Sequence, residues 1–308
     1  ELKGKGAERT DPLACAARWL ADRGVDRLQV PGTFPLEGGD WLRRAGFQVT
    51  PVAGSLAPGR RCKGEEEIGR IRRTQEINEE ALRRGIELIG AAGVADDGTL
   101  IHDGEPLTSE RVRAAIQTAL VAQECFSEGT IVAGGEQACD PHNAGSGPLR
   151  AGTFIIIDVF PRSLVHFLHA DMTRTVLKGR ATAAQRAHYE AVRAGQEWAI
   201  ERIAAGVPVR ELHLGIHRLF AERGFESGLI DGRMQGFFHG TGHGVGLEIH
   251  EPPRFSDCDG TFAAGDVVTV EPGLYYRGRG GVRIEDMVVV EEKGCRNLTR
   301  MDKAFEVA

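Results

Sequence analysis

The sequence has little lysine, no paired-cysteine motif and no long apolar run. Only six of its 38 basic residues are lysine, and none is followed by Ser or Thr, which excludes the standard phosphate-binding loop. The six cysteines are scattered without a CxxC spacing, which favours free thiols in a reducing compartment. No apolar run reaches transmembrane length, and the first residues lack a signal-peptide core. We therefore expect a cytoplasmic protein with no membrane partner.

Other binding and catalytic classes are excluded in the same way. The formal net charge is −6 and no basic block is present, so nucleic acid is not an expected partner. The chain has no Gly-x-Gly-x-x-Gly motif after a strand and no Gly-x-Ser-x-Gly nucleophile elbow. Cys139 lies near His142, but a Cys–His pair would leave the acidic residues described below unexplained.

The length of 308 residues can hold one large domain, or one large and one small domain. Alternating helix and strand patterns over residues 11–52 predict a small α/β unit, after polar and loose residues 1–10. Residues 54–59, Gly-Ser-Leu-Ala-Pro-Gly, are the best candidate linker. We predict a shortened α/β N-terminal domain over residues 1–60 and a catalytic domain over residues 61–308.

The larger part repeats one order of elements, two helices followed by a strand pair. The predicted elements are helices 65–89, 105–126, 183–205 and 209–223 and strands 152–160, 167–178, 266–271 and 282–290. This repetition predicts an α+β fold with two related halves. In that fold a curved antiparallel sheet carries helices on one side, and the functional centre lies where the halves meet.

Each predicted strand pair contains two carboxylates within apolar sequence. These residues are Asp158, Asp171, Glu271 and Glu285. A carboxylate in a buried strand is unfavourable unless it is paired or bound to a metal. One such residue could form a core salt bridge, but four in two matching pairs indicate a shared cationic centre.

The stretch 238–251 adds imidazoles to this inventory. It contains four glycines, which argue against a helix, and three of the ten histidines: His239, His243 and His250. The apolar residues Val245, Leu247 and Ile249 alternate as in a half-buried strand.

Four carboxylates and one imidazole supply about −4 of charge, enough to neutralise two divalent cations. Two such ions ~3.5–4 Å apart that share a hydroxide form a hydrolytic centre. Oxygen-rich coordination with one nitrogen favours Mn²⁺, Co²⁺, Fe²⁺ or Zn²⁺ over a thiolate-bound structural zinc. The histidines do not form a helical HExxH motif, which disfavours single-zinc protease chemistry.

Several of these segments together resemble the signatures of the pita-bread metallopeptidases. They are Asp171-Met-Thr-Arg-Thr, His239-Gly-Thr-Gly-His243 with its continuation to Glu251, Glu271-Pro-Gly and Arg283-Ile-Glu285-Asp. Within this family the chain is similar to the proline-specific branch, the prolidases and Xaa-Pro aminopeptidases, over about residues 62–300. The resemblance implies a pita-bread catalytic domain, usually dimeric, with two divalent metal ions. We expect Mn²⁺, with Co²⁺, Zn²⁺ or Fe²⁺ as alternatives.

The resemblance also implies roles for individual residues. The implied metal ligands are Asp158, Asp171, His243, Glu271 and Glu285, with Asp171 and Glu285 bridging the ions. Glu271 also stands where the family places its general acid/base, and Arg283 is expected to bind substrate. The implied catalytic imidazoles, which would donate to the scissile carbonyl oxygen and the substrate ends, are His142, His239 and His250.

Five other histidines are expected to be structural or exposed: His166, His169, His188, His213 and His217. Among these, His169 lies close enough to Asp171 in sequence to support it.

Two features depart from the family pattern. Asp158 and Asp171 are separated by thirteen positions, which predicts a longer hairpin tip than relatives usually have. The amino-terminal domain is also much shorter than the family norm, and this domain often closes the pocket or contributes to the dimer.

Arg254 decides between the two activities of the proline-specific branch. A dipeptidase must recognise the proline carboxylate next to the scissile bond, and Arg254 in His-Glu-Pro-Pro-Arg is placed to bind it bidentately. We therefore predict a metal-dependent Xaa-Pro dipeptidase that acts on proline-containing peptides as a homodimer. The alternatives are an Xaa-Pro aminopeptidase, a non-catalytic binding module of the same fold and a metal-free creatinase-like hydrolase.

Overall fold

The computed structural model describes residues 11–52 and 58–308. The chain divides into two compact units, Glu1–Pro58 and Gly59–Ala308. The segment 1–10, and residues 54–57 of the linker that the sequence indicates, lie outside the described residues. The functions assigned to the two predicted domains remain predictions.

The smaller unit alternates helices and strands, as predicted. Its elements are α1 (Pro12–Ala21), β1 (Arg27–Pro31), α2 (Leu36–Arg44) and β2 (Gln48–Val52). The Asp11 carboxylate caps α1 by accepting hydrogen bonds from the amides of Leu13 and Ala14 at 3.0 and 3.1 Å. Strands β1 and β2 are parallel, and Leu42 and Phe47 form part of the small core.

The larger unit has four α-helices, two of them in each half of the sequence. They are α3 (Glu65–Ala91), α4 (Ser109–Val121), α5 (Ala183–Ile200) and α6 (Val209–Glu222), with 3₁₀ turns at Pro58–Arg60 and Gly135–Cys139. The strands before α5 are β3 (Gly93–Val94), β4 (Leu100–His102), β5 (Glu105–Pro106), β6 (Cys125–Phe126), β7 (Ile131–Gly134), β8 (Phe154–Val159), β9 (Arg162–Ser163) and β10 (Met172–Lys178). The strands after α6 are β11 (Gly228–Ile230), β12 (Arg233–Gln235), β13 (Gly242–Gly244), β14 (Glu251–Phe255), β15 (Val267–Val270), β16 (Gly273–Tyr276), β17 (Gly280–Arg283), β18 (Asp286–Glu291), β19 (Gly294–Asn297) and β20 (Glu306–Val307).

The first half is built around a four-stranded sheet in the order β20-β10-β8-β7. Strands β8 and β10 are antiparallel, with Asp158 opposite Thr173, and β20 joins β10 in parallel. Helices α3 and α4 pack together, and their apolar faces share a core with the sheet that includes Leu82, Ile116 and Ile157.

The second half repeats this arrangement around a five-stranded sheet in the order β14-β13-β15-β18-β19. Helices α5 and α6 and this sheet share a core that includes Val192, Phe220 and Val268. The hairpin β16–β17 links the halves, because the Thr175 hydroxyl on β10 donates to the Arg283 carbonyl and accepts from the Arg283 amide. The predicted repeat is confirmed, although the antiparallel sheet is divided into separate hydrogen-bonded pieces.

Three predicted helix boundaries were wrong. Helix α4 ends at Val121, five residues before the predicted end at residue 126. Helix α4 begins at Ser109, not at Glu105, because Thr108 caps it: its hydroxyl accepts from the Arg111 amide at 3.3 Å. Glu105 instead lies in β5, which pairs with β4. Helix α5 ends at Ile200, five residues earlier than predicted.

Predicted strands near the acidic residues also ended differently. The strand predicted over 282–290 is interrupted at Ile284 and Glu285, and the strand predicted over 167–178 begins only at Met172. Asp171 and Glu285 therefore lie at strand ends, where the backbone is free to turn toward a shared site.

The strand predicted at Val245, Leu247 and Ile249 is absent from the described structure, since β13 ends at Gly244. Val245 is buried, but Leu247 is 46% exposed. The Gly246 carbonyl accepts from the His169 amide at 2.8 Å, and the Gly246 amide donates to Glu248. These local bonds replace a sheet ladder, so the segment forms a loop.

None of the helices in the described residues is both long enough and apolar enough to cross a membrane.

Candidate metal centre

The four carboxylates indicated by the sequence lie at neighbouring strand ends. Asp158 is near the end of β8, and Asp171 immediately precedes β10. In the other half, Glu271 follows β15 and Glu285 precedes β18. Because β8 pairs with β10 and β15 with β18, each antiparallel pair presents its two carboxylates at one end.

Three of the five predicted ligands form a close group in the described structure. One ligand atom from each of Asp171, His243 and Glu285 lies within 4.8 Å of the others. His243 Nε2 is 3.6 Å from Asp171 Oδ2 and 3.4 Å from Glu271 Oε1, which brings Glu271 to the same group. Asp158 is held beside it by Arg283, whose Nη2 donates to Asp158 Oδ2 at 2.7 Å.

His243 is oriented for coordination. Its Nδ1 lies 3.1 Å from the Gly244 carbonyl oxygen, which can only accept, so the proton belongs on Nδ1 and the Nε2 lone pair faces the carboxylates. Burial lowers the pKa of His243 to about 4, so the ring is neutral at pH 7. A lone pair directed at carboxylate oxygens is unfavourable without a cation between them, and this geometry is that of a metal ligand.

The raised pKa values of the carboxylates also indicate a cation site. Burial, reinforced by the neighbouring carboxylates, raises the pKa of Asp171 and of Glu285 well above their ordinary values. Burial also raises the pKa of Glu271 to about 8. These carboxylates repel one another, and divalent cations would relieve both the repulsion and the desolvation.

Unpaired oxygen atoms provide a direct test of whether metal ions fit. Within the described residues, Asp158 Oδ1 and Asp171 Oδ1 are buried and have no hydrogen-bond partner. Such atoms are rare unless a ligand satisfies them. Hard carboxylate oxygens with one imidazole nitrogen suit divalent ions such as Mn²⁺, so the donor set and the family's metal requirement agree.

The Arg283 guanidinium forms hydrogen bonds to three side chains of the protein. Besides Asp158, it donates to the Tyr275 hydroxyl at 2.9 Å and to the Thr173 hydroxyl at 3.2 Å, and its side chain is buried. Arg283 also lines the cavity, and its role in substrate binding remains a prediction. Its geometry is that of a residue that orients Asp158.

Both ring nitrogens of His239 also form hydrogen bonds within the protein. Nδ1 lies 2.7 Å from the Gly240 carbonyl oxygen, and Nε2 accepts from the Tyr275 hydroxyl at 2.9 Å. Burial lowers the pKa of His239 to about 3, so the ring stays neutral. The predicted hydrogen bond from His239 to a substrate would require the loss of one of these bonds.

A cavity of about 880 Å³ opens above the carboxylate group. His142 and His250 line it, and the His250 ring packs edge-on against His243 with centroids 4.3 Å apart. Arg254 lines the same cavity and is exposed, and no carboxylate of the described residues forms an ion pair with it. The cavity thus combines a polar base, two further imidazoles and an available guanidinium.

Sequence reasoning missed three hydroxyls around the carboxylate group, two of which donate hydrogen bonds to carboxylates. Thr173 donates to Glu285 Oε2 at 2.8 Å, and Thr269 donates to Glu271 Oε1 at 3.3 Å. Tyr275 joins Arg283 to His239. The two threonines could have been found, because each lies two residues from a carboxylate and strand side chains alternate with a period of two.

The contacts of Cys139, His188 and His213 indicate the roles of these side chains. Cys139 Sγ donates to the Tyr276 carbonyl, and burial raises the pKa of this thiol to about 11, which excludes it as a nucleophile at neutral pH. His188 and His213 are interior residues bonded to the Leu274 carbonyl and the Thr241 hydroxyl, in agreement with structural roles.

Two halves that contribute carboxylates and an imidazole to the base of one cavity are the architecture of the pita-bread fold. Residues 69–292 match the sequence model of metallopeptidase family M24, and the chain belongs to this family.

Individual relatives include both activities of the proline-specific branch. The Xaa-Pro dipeptidase of Pyrococcus furiosus is 32% identical over 243 residues, which are 78% of this chain and 64% of that protein. Xaa-Pro aminopeptidase 1 of Streptomyces coelicolor is also 32% identical, over 79% of this chain and 52% of its own length. The chain thus spans less than two thirds of these relatives.

Solved structures of enzymes with each of these two names share the fold over nearly the whole chain. The X-Pro aminopeptidase of Thermotoga maritima superposes with a TM-score of 0.80 at 26% identity, covering 98% of this chain and 81% of that one. The prolidase of Pyrococcus furiosus gives a TM-score of 0.76 at 29% identity, covering 90% and 77%.

Proposed function

We propose that this protein is a metal-dependent exopeptidase that hydrolyses Xaa-Pro bonds, chiefly in dipeptides. The observation that carries the proposal is the group Asp171, His243 and Glu285 at the base of a cavity that Arg254 also lines. Relatives named Xaa-Pro dipeptidase support the choice of substrate. The intact donor set disfavours a non-catalytic binding module and a metal-free hydrolase.

The proposed metal ligands are the five residues implied by the family resemblance, Asp158, Asp171, His243, Glu271 and Glu285. Bound divalent ions, Mn²⁺ in this proposal, would supply Lewis acidity and lower the pKa of a water molecule. Arg283 would hold Asp158 in place, and Thr173 and Thr269 would orient Glu285 and Glu271 through the hydrogen bonds described above.

Glu271 is the proposed general acid/base. Its carboxylate lines the cavity and would pass a proton to the departing proline nitrogen. His142 and His250 line the cavity and are proposed to contact the peptide. His239 is proposed to contribute indirectly, by holding the Tyr275 hydroxyl that Arg283 also contacts.

Arg254 is proposed to bind the proline carboxylate and so to select dipeptides. A guanidinium without an intramolecular carboxylate partner can form two parallel hydrogen bonds to a substrate carboxylate. An Xaa-Pro aminopeptidase remains the second candidate, because the Streptomyces coelicolor relative matches at the same identity.

We further propose that residues 61–308 form the catalytic domain and that the protein is a homodimer of the cytoplasm. The thiols of Cys62, Cys125, Cys139, Cys258 and Cys295 are not in disulfides, which supports a reducing compartment.

The test compares hydrolysis of Ala-Pro and Ala-Pro-Ala with Mn²⁺ supplied, in the unaltered protein, in Arg254→Ala and in Arg233→Ala. Arg233 is an exposed arginine on β12 that does not line the cavity, so it controls for loss of surface charge. We expect cleavage of Ala-Pro, with KM raised roughly 50-fold in Arg254→Ala by loss of about 2–3 kcal/mol of charged hydrogen bonding, and no change in Arg233→Ala.

Preference for Ala-Pro-Ala that does not depend on Arg254 would instead identify an aminopeptidase. Absence of hydrolysis of either peptide, with Mn²⁺ bound, would refute the proposed activity.

A further inference from the structure

Three basic side chains between residues 60 and 63 each reach a buried carboxylate far along the chain. Lys63 Nζ lies 2.6 Å from Glu251 Oε1, and Arg60 Nη2 lies 2.8 Å from Glu251 Oε2. Arg61 makes two hydrogen bonds to Asp266, at 2.8 and 2.7 Å. The side chains of Lys63 and Glu251 are only 2% and 5% exposed, so removing either would leave an uncompensated buried charge.

The side chain of Glu251, the first residue of β14, lies at the centre of the loop that precedes this strand. A Cβ at Gly246 would overlap the Glu251 carboxylate, so this glycine allows the chain to wrap closely around it. The Glu248 amide also points at Glu251 Oε2, at 3.5 Å. The loop therefore surrounds a carboxylate whose charge is balanced by Lys63 and Arg60.

The far end of strand β14 is held by the core, because the Phe255 side chain is fully buried and packs against Phe262. Within the described residues β14 is an edge strand that pairs with β13 alone, and its register shifts between His243–Arg254 and Gly244–Glu251. A bulge at Pro252–Pro253 results, with His250 before it and Arg254 after it. Glu251 is adjacent to His250 and anchors the near side of this bulge.

We propose that Lys63 and Arg60 are positioning residues that act through Glu251 to fix His250 and Arg254 at the cavity wall. The effect on peptide affinity rests on the proposed function, whereas the effect on the backbone of residues 244–255 does not. Neither basic residue contacts the cavity itself, since neither belongs to its lining in the described structure.

The experiment compares Lys63→Met with Arg61→Met, a matched control from the same segment whose partner Asp266 does not line the cavity. Hydrogen–deuterium exchange of residues 244–255 is measured in the metal-free proteins, and Ala-Pro hydrolysis is measured with Mn²⁺. We expect Lys63→Met to speed exchange of this segment about tenfold. It should also raise KM about tenfold with kcat within about twofold, because binding contacts are displaced and the carboxylate group is not.

Arg61→Met should leave both quantities unchanged. Lys63→Arg should restore both toward the unaltered protein. The double variant Lys63→Met/Glu251→Gln should exchange more slowly than Lys63→Met, since the unpaired charge is removed.

Equal effects of Lys63→Met and Arg61→Met on exchange would overturn the proposal, as would faster exchange without any change in KM. If the unaltered protein cleaves no peptide, the proposed function fails, and the exchange comparison still decides whether Lys63 positions the loop. Should Arg61→Met not fold, the comparison of Lys63→Met with Lys63→Arg decides in the same way.

Discussion

His188 is buried and His243 is half-buried, and desolvation lowers the pKa of each to about 4. Their neighbours give them different functions. His188 Nε2 donates to the Leu274 carbonyl and its ring packs against Phe154, so the neutral form is part of the core. His243 keeps its Nε2 lone pair directed at carboxylates. The same lowered pKa therefore accompanies packing in His188 and the proposed metal coordination in His243.

His188 should make the protein sensitive to acid. Its pKa is near 6.5 in the unfolded chain and about 4 when folded, so below pH 6.5 only the unfolded chain takes up the proton. The free energy of unfolding thus decreases as the pH falls from 6.5 toward 4. At pH 5 it is about 2 kcal/mol lower than above pH 6.5.

We expect the difference in melting temperature between pH 7 and pH 5 to be smaller in His188→Gln, which keeps a donor for Leu274, than in the unaltered protein. Thermal denaturation followed by circular dichroism measures it. An identical pH dependence in both proteins would contradict this account.

Strand ends are the elements that assemble the centre. The strand β13 carries His243 and lies so close to β15 that a Cβ at Gly242 would overlap the Thr269 carbonyl oxygen. Thr269 also accepts from the His243 amide at 3.1 Å and donates to Glu271. A single glycine thereby permits the contact that places the imidazole beside two carboxylates.

Gly242→Ala should separate β13 from β15 and destabilise the protein by roughly 3 kcal/mol or more, with loss of Mn²⁺ binding. Gly69→Ala is the control, because Gly69 lies in helix α3 with open space around it and should be neutral or stabilising by up to about 1 kcal/mol. Urea denaturation and metal titration give both values. If the two variants lose equal stability, the close approach of the strands is not the reason for this glycine.

The sequence permitted prediction of those parts of the fold that depend on local pattern. Apolar spacing identified α3 and α6 closely, and the runs around Asp158 and Glu271 identified β8 and β15. Long-range partners were not predictable. The loop after Gly244 was mistaken for a strand because alternation alone does not reveal the Glu251 carboxylate around which it wraps.

The same limit applies to the candidate site. The family resemblance supplied the five proposed ligands, three of which the structure gathers into one close group. The motif also assigns Arg283 to substrate, but it gives no information on the Asp158 and Tyr275 atoms that this guanidinium contacts. Tyr275 itself lies in an ordinary apolar strand, where nothing marks it before the fold is known.

The whole larger unit is organised around a concentration of negative charge drawn from both of its halves. Asp158 and Asp171 come from the first half, and Glu271 and Glu285 from the second. Repulsion among them opposes folding unless cations are present, which links stability to metal binding.

Removal of metal should therefore lower the melting temperature. Mn²⁺ at about 1,000 times its dissociation constant adds about 4 kcal/mol, which corresponds to a rise on the order of 10 °C for a protein of this size. Differential scanning calorimetry with and without a chelator provides the measurement.

Asp171→Asn is the informative control for this effect. It should melt no lower than the unaltered protein when both are metal-free, because one repulsive charge is removed, yet gain little from Mn²⁺. An equal gain from Mn²⁺ in this variant would exclude Asp171 as a ligand.

The ion pair between Lys63 and Glu251 joins residues 188 positions apart. Closing a loop of that length has an entropic cost that must be met before the contact stabilises anything, and such contacts slow folding. During synthesis Lys63 and both aspartates leave the ribosome long before Glu251 and Glu285 exist. The cavity wall is consequently a late product of folding, and a nascent chain holds its first two carboxylates without the partners that complete the centre.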